Sequence, residues 1–480
     1  MQPSIHIQQT FSTAKNLIYL LKDQQELTEL SLSEVENRYV SEKLTQDKTI
    51  ISLNRYDSLL FIIRVKEKEE HHSTLEAYRK AAPDLLALLR KEGIREIQLA
   101  SQKVAGAYAI AFLEGLMLSS YRFEKYKSKK ADAAQQPERI EYFHPEAKEE
   151  QLNEVARLAL ATWAARDLVN EPAVYLTATQ LSREIEQLGE EAGFNVEVFE
   201  EAKIQSLKMG GLLAVNAGSQ QPPTFTILEY KPENAVNLQP VVLVGKGVVY
   251  DTGGLSLKPT AGSMDMMKSD MAGAAAVVGA LYAVAANNLP VHVVGLIPAT
   301  DNRPGENAIT PGDVITMCNG KTVEILNTDA EGRLILADAL TYASRYNPLL
   351  VIDLATLTGS AVRAIGPEGI VCMGTADPEQ KQALFEAGKL AYERLVEFPL
   401  WEEYEKQIES DIADIKNIGG TNAGATTAGM FLKHFVNFPW MHLDIAGPAF
   451  LTRPDSYRGK GGTGAGVRLL YQFIKSFEKK

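Results

Sequence analysis

The sequence predicts a two-domain α/β protein: a C-terminal domain with a central mixed, largely parallel sheet covered by helices, and a smaller N-terminal α/β domain. Three observations predict it. A chain of 480 residues is long enough for two or three domains. After residue 170, short β-branched and apolar runs alternate with stretches at helical spacing, the pattern of successive βαβ units. Between the halves lies one long amphipathic segment, Glu149–Asn170. The expected boundaries are 1–148 for the N-terminal domain, 149–170 for a linking helix and 171–480 for the C-terminal domain.

In the N-terminal domain, 49–53 and 59–65 read as strands and 75–92 as a helix by its apolar spacing. A short strand at 97–100 precedes an apolar helix at 105–118, rich in Ala, Leu and Gly. The polar stretch from Lys125 to Glu138 reads as an exposed loop, and Tyr142-Phe143 as a last strand. In the linking segment Leu152, Val155, Leu158, Ala159, Thr162, Trp163 and Arg166 recur at helical spacing. Glu171-Pro172 ends it, because a residue before proline disfavours α geometry. The C-terminal domain then runs helix 181–193 and strands Asn195–Phe199, 225–230 and 241–244. An Ala-rich helix Ala272–Ala286, strands 291–297 and 323–326, a helix after Arg333, and strands 349–354 and 440–445 follow. In open α/β sheets, sites form beyond the carboxyl ends of strands. Lys246, 327–333, 355–359 and 446–447 each follow an expected strand, so four loops should converge on one crevice.

Composition excludes some classes. Hydrophobic content of 45% and charged content of 23% are those of a soluble globular protein. A formal charge of −12 speaks against a nucleic-acid binder, which carries a basic footprint. The two cysteines, Cys318 and Cys372, cannot build a disulfide framework and read as buried small apolar residues. No apolar run approaches the roughly 18 residues of a membrane span. Met1-Gln-Pro-Ser-Ile-His-Ile7 lacks the pattern of a secretory signal, so the expected location is cytoplasmic.

The chemistry concentrates in Asn327-Thr-Asp329-Ala-Glu331-Gly-Arg333 and in an upstream cluster of Lys246, Asp251, Lys258 and Asp270. In extended backbone, residues i and i+2 point to one side, so Asp329 and Glu331 are expected to face one site together. Gly247, Gly253 and Gly254 permit tight turns around Asp251. Taken singly, the lysines read as ion pairs and Asp-x-Glu as an acidic helix N-terminus. Taken together, four acids, two lysines and one arginine in glycine-rich loops suit a two-metal hydrolytic site with cationic helpers. A lysine pressed against a dication can lose its proton and coordinate.

These motifs, with Asp167-Leu-Val-Asn-Glu-Pro172, Thr356-Leu-Thr-Gly359 and His442-Leu-Asp-Ile-Ala-Gly447, closely resemble the leucyl aminopeptidase family of di-zinc cytosolic aminopeptidases. The resemblance covers about 160–475 in order, and residues 1–148 match only loosely. It implies a metallo-exopeptidase, a hydrolase that removes N-terminal residues from peptides, Leu and other apolar residues favoured, by a two-metal-activated water. It implies two divalent ions per chain, zinc first, with manganese, cobalt or magnesium accepted at an exchangeable site, and bicarbonate as general base. Asp251 and Glu331 would bridge the ions, Lys246 and Asp270 would complete the tighter site, and Asp329 the exchangeable one. Lys258 would stabilise the oxyanion and Arg333 would hold the bicarbonate. Met267, Thr356, Gly359 and Ala446 would line the pocket for the first side chain, with the backbone of Leu357 holding the peptide. A homohexamer is implied, with neither nucleic acid nor membrane as partner. The loop before Asp270 is one residue longer than in the best-known members, near Gly262-Ser263; Asp270 is kept as the ligand, and Asp265 reads either as a residue supporting the ligands or as structural.

Two rival readings remain at this level. A two-metal phosphoesterase needs the same carboxylates but has no use for a lysine ligand beside that arginine. A non-catalytic DNA-binding or scaffold relative is disfavoured by the acidic balance and the complete residue set. The run Gly459-Lys-Gly-Gly-Thr-Gly464 lacks the Walker spacing and reads as a structural loop. The seven histidines form no His-Glu-x-x-His helix, and His442 reads as structural.

Overall fold

Alternating side chains let one strand serve two cores, and this builds the first of two compact units in the chain. The computed structural model describes residues 3–128 and 137–479. The first unit comprises Met1–Leu160 with Pro454–Gly459, the second Ala161–Arg453 with Lys460–Lys480. The first unit's strands are β1 (Ser4–Ile7), β2 (Leu17–Leu20), β3 (Ile50–Asn54), β4 (Leu59–Ile63), β5 (Glu96–Ala100) and β6 (Arg139–Phe143). They form one sheet in the order β1-β6-β5-β2-β4-β3, parallel except for β3 against β4. Its helices are α1 (Glu34–Thr45), α2 (His71–Lys91) and α3 (Gly106–Ser119). Ile18, Leu20, Phe61 and Ile63 pack with α2 and α3 on one face. Leu17, Tyr19, Leu60 and Ile62 pack with Val40 and Leu44 of α1 on the other, as a period of two requires. β1, β2 and α1 were not legible in sequence. β2 is four buried residues without alternation, and α1 buries only Val40 and Leu44 in a polar segment. Residues 129–136 of the expected loop lie outside the described residues.

Helix α4 (Glu149–Asn170) carries the chain from the first unit into the second. There the strands are β7 (Asn195–Phe199), β8 (Thr224–Tyr230), β9 (Val241–Gly245), β10 (Gly247–Asp251), β11 (Val293–Asn302), β12 (Val314–Thr316) and β13 (Thr322–Glu324). They continue as β14 (Leu350–Ala355), β15 (Ile370–Gly374), β16 (Leu395–Glu397), β17 (Ile415–Lys416) and β18 (Trp440–Asp444). The central sheet runs β16-β15-β18-β14-β9-β11-β8-β7, with β10 beside β11. Pairings among β18, β14, β9 and β11 are parallel, while β8 and β15 attach antiparallel, so the sheet is mixed and largely parallel. In register, Gly245 meets Leu354, and Ala355 meets Asp444. The loops that follow β9, β14 and β18 therefore leave one edge together.

The helices of this unit are α5 (Ala178–Ala192), α6 (Glu201–Ser206), α7 (Gly210–Asn216), α8 (Ala272–Ala286), α9 (Gly332–Ala343), α10 (Gly359–Ile365), α11 (Pro378–Ala391), α12 (Gly424–Lys433) and α13 (Val467–Lys475). α8 lies directly on the sheet: a Cβ on Gly273 would stand 2.0 Å from the Leu354 carbonyl oxygen. With the preceding 3-10 turn it forms a 23-residue stretch, Met264–Ala286, long and apolar enough to cross a membrane by length and composition. This corrects the expectation that no apolar run approaches the length of a membrane span; 89% of its apolar window is buried inside the protein, as befits a core helix. Two other expectations need correction. The strand before Asn327 belongs to a separate small sheet, β12-β13-β17. Cys372 is buried, but Cys318 is only half-buried, its Sγ directed at the Asp338 carbonyl.

Candidate active site

The charged residues of the two motifs stand at strand ends, in turns and at the start of one helix. Lys246 follows β9 directly, and Asp251 is the last residue of β10. Gly253 and Gly254 then take φ of +86° and +62°, which only glycine adopts freely, and reverse the chain. Gly247 has no such φ; it is small because a Cβ would stand 2.6 Å from the Pro298 carbonyl. The Met264–Ser269 turn delivers Asp270, buried at its C-cap, while Asp265 stays exposed.

The extended geometry expected for Asp329 and Glu331 is not what brings them together. Asp329 sits in a turn closed by Asn327, whose side-chain oxygen accepts from the Asp329 N–H at 2.8 Å. Glu331 is already helical, with φ −78° and ψ −37° at the start of α9. A polar side chain that closes its own turn outcompetes the strand continuation. The next residue is Gly332 because a Cβ there would stand 2.6 Å from Lys246 Nζ.

The charges interlock. Lys246 Nζ lies 2.8 Å from Asp270 Oδ2 and 2.8 Å from Glu331 Oε1, and donates to the Thr356 carbonyl at 3.1 Å. Lys258 Nζ lies 2.8 Å from Asp251 Oδ2 and 2.5 Å from Asp329 Oδ1. Carboxylate oxygens of Asp251, Asp329 and Glu331 all lie within 4.8 Å of one another. Four carboxylates face two ammonium groups, so two negative charges are left over in a site where Asp251, Asp270 and Glu331 are almost wholly buried. Their titration reflects this. Burial pushes Asp251, Asp270 and Asp329 above the usual carboxylate range, and the neighbouring Glu331 adds to each. Burial also opposes the charge on Glu331, but Lys246 and Lys258 outweigh it and lower its pKa. Burial opposes the charges of both lysines, yet the surrounding carboxylates raise them well above an ordinary lysine. Oxygen donors with an excess of negative charge fit divalent cations, which would supply the missing positive charge.

A cavity of about 770 Å³ opens onto this cluster. Lys246, Asp251, Lys258, Met267, Asp270, Asp329, Glu331, Thr356, Leu357, Gly359 and Ala446 all line it, so eleven of the twelve residues singled out in the sequence meet there. The twelfth, Arg333, is buried behind them and donates from Nη1 to the Asn417 carbonyl at 2.7 Å. Its Nε has no hydrogen-bond partner among the described residues. Burial lowers the guanidinium to about 10, still charged at neutral pH.

Three buried residues that hold the site were missed. Asp444 Oδ1 accepts from the Leu357 and Ala446 N–H groups, each at 3.1 Å, and Oδ2 from the Thr358 hydroxyl at 2.8 Å, tying together the two loops on the far side of the cavity. Asn417 receives the Leu326 N–H at 2.9 Å and donates to the Asn327 carbonyl at 2.7 Å. Asn302 Nδ2 donates to Asp251 Oδ1 at 2.8 Å and to the Thr328 carbonyl at 3.0 Å. Asp444 lay in a motif already noted; Asn302 and Asn417 carry no local signal. His442, as expected, is in a strand, its Nδ1 paired with Asp353 at 2.6 Å in the core. The glycine run near 461 packs on α4: a Cβ on Gly461 would stand 2.3 Å from Asn170 Oδ1.

Known proteins resemble this chain in sequence and in fold. Residues 163–471 match the model of the cytosol aminopeptidase family, catalytic domain, and residues 66–130 that of the same family's N-terminal domain. A probable cytosol aminopeptidase of Chlorobium limicola is 47% identical over 399 residues, covering 80% of this chain and 78% of that protein. Among solved structures, the bottromycin maturation enzyme BotP in complex with Mn superposes with a TM-score of 0.85 at 32% identity, over 96% of this chain and 99% of that one. A mutant of tomato leucine aminopeptidase gives a TM-score of 0.85 at 27% identity, over 99% of this chain and 97% of that one.

Proposed function

The chain belongs to the cytosol aminopeptidase family, whose members are metallo-exopeptidases, and we propose that it removes N-terminal residues from peptides using two divalent ions. The observation that carries this is the cluster of four buried or half-buried carboxylates that two lysines neutralise only by half. Asp251 and Glu331 would be shared between the ions, with Lys246 and Asp270 at the tighter position and Asp329 at the exchangeable one. When bound, the ions polarise the scissile carbonyl, lower the pKa of water and give the substrate's free amine a partner, while bicarbonate supplies a general base. Zinc suits the mixed oxygen and nitrogen donors, and manganese, cobalt or magnesium suit the exchangeable position.

The chain's own residues do the rest. Lys258 holds a full positive charge beside Asp251 and Asp329, placed to stabilise charge that develops on the carbonyl oxygen. Arg333 offers a buried Nε donor without a partner among the described residues, which suits a small anion such as bicarbonate. Met267, Thr356, Gly359 and Ala446 would receive the first side chain, and their mostly apolar or small character favours Leu and Met. The Leu357 N–H is already given to Asp444, so its contact with the peptide falls to its carbonyl. All of these residues lie within 171–480, which we take as the catalytic domain. The family's homohexamer and a cytoplasmic location complete the proposal.

Metal analysis of the purified protein beside an assay on a panel of amino-acid amides and one phosphate ester tests it. Two ions per chain with amide hydrolysis are expected. Full activity with one ion or none, or hydrolysis of the phosphate ester alone, would overturn it.

A further inference from the structure

We infer that Asn302 is the positioning residue that joins the two ligand-bearing segments into one metal-competent arrangement, an inference that rests on the two-metal reading above. Asn302 ends β11, and in register it stands opposite Asp251, the last residue of β10. The residue is buried, only 3% exposed. Both amide hydrogens are committed: one goes to the carboxylate of Asp251 at 2.8 Å, the other to the Thr328 carbonyl at 3.0 Å. Asp251 belongs to the first cluster and Thr328 to the turn that presents Asp329. One planar group therefore spans segments 77 positions apart, since 328 − 251 = 77.

The residue is itself held through its backbone. The main-chain carbonyl of Asn302 accepts from the Thr252 N–H at 3.1 Å and from the Thr252 hydroxyl at 2.8 Å. Its Oδ1 lies 2.8 Å from where a Cβ on Gly254 would stand, so Gly254 leaves the room it needs. An asparagine is the side chain that places two donors in one plane at this reach, with no charge of its own. An aspartate would set acceptor against acceptor at both contacts.

The consequence concerns the ions. Lys258 draws the Asp251 and Asp329 carboxylates together from the cavity side, and the two Asn302 donors fix Asp251 and the Thr328 backbone from behind. By fixing the peptide between Thr328 and Asp329, Asn302 also sets the direction of Asp329. Loss of the amide should therefore weaken the exchangeable position more than the tighter one. Hydrogen-bond partners of metal ligands typically govern affinity by about 10–100-fold.

The test uses the full-length chain stripped of metal and titrated with Zn²⁺ and with Mn²⁺ against a chelating dye. Asn302→Ala should bind the weaker ion about 10–100-fold less tightly, recover most of kcat at saturating metal and leave KM for a leucine amide unchanged. Asn216→Ala is the control, because Asn216 donates to Thr300 of the same strand and to Gln221, away from the ligands; its affinity should match wild type. Asn302→Ser is made alongside as a milder truncation, since its hydroxyl cannot span both contacts. Wild-type affinity in whichever of Asn302→Ala and Asn302→Ser folds overturns the inference while leaving the two-metal reading intact. Failure of the wild type itself to take up a divalent ion overturns both.

Discussion

Lys246 and Lys258 look alike in sequence, yet their surroundings divide them. Lys246 is 3% exposed, locked between Asp270 and Glu331 and capped by the Thr356 carbonyl. Lys258 is more open and bridges Asp251 and Asp329 at the cavity wall. Lys246→Ala should lose metal from the tighter position, and activity with it. Lys258→Ala should retain both ions and lose mainly kcat, by about 10²–10³ as for other oxyanion donors. Metal content and kcat measured on both variants check this; the reverse pattern would exchange the two roles. A second residue gives a pH prediction. Asp338 is fully buried, accepting from the Leu212 N–H at 3.0 Å and the Cys318 N–H at 3.1 Å, and burial pushes its pKa up to about 6. Its folded pKa exceeds the unfolded value near 3.9, so its contribution to stability is present below that value and lost as pH rises through about 6. Asp338→Asn removes this titration. Stability of the variant relative to wild type should therefore rise between pH 4 and 7, by an amount on the order of 2–3 kcal/mol. A pH-independent difference in denaturation midpoints would show that Asp338 does not titrate in this range.

At the scale of elements, the site depends on how closely α8 approaches the sheet. Gly273 lets the helix backbone rest on the Leu354 carbonyl, and it is also adjacent to the Lys246 N–H, 3.0 Å from a Cβ built there. Both neighbours are backbone and cannot rotate away. Gly273→Ala must lift the first turn of α8 off β14, at a cost of about 1–3 kcal/mol or more, and disturb Lys246 with it. Gly420→Ala is the comparison, because its Cβ meets only the end of the Gln407 side chain at 3.3 Å. Thermal unfolding should show a clear loss for the first and a small change for the second. Equal midpoints would mean that α8 has slack against the sheet.

For the whole molecule, the expected homohexamer is tested by light scattering: an active, stable monomer would exclude it. Chelation of the purified protein should abolish amide hydrolysis, and returned zinc or manganese should restore it. The amide panel should rank Leu and Met above Asp and Glu. A strong preference for acidic residues would show that Met267, Thr356, Gly359 and Ala446 do not form the first pocket.

What the sequence determined by itself was the residue inventory and the periodic skeleton. Asp251, Asp270, Asp329, Glu331 and the two lysines were identifiable because charged residues in glycine-rich loops after strands break the apolar pattern around them. Asn195–Phe199 and Ala272–Ala286 were readable to the residue because alternation and all-round apolarity report local conformation directly. Tertiary structure alone decided how these pieces meet. The Asn327 side chain, not an extended strand, turns Asp329 toward Glu331. Asn417 reaches Arg333 across 84 positions, Asn302 reaches Asp251 across 51, and Asp444 reaches Leu357 across 87. Periodicity along a chain records which face of an element is buried. It holds no record of which distant donor a buried polar group will find, because that pairing forms only when the sheet has brought the loops to one edge.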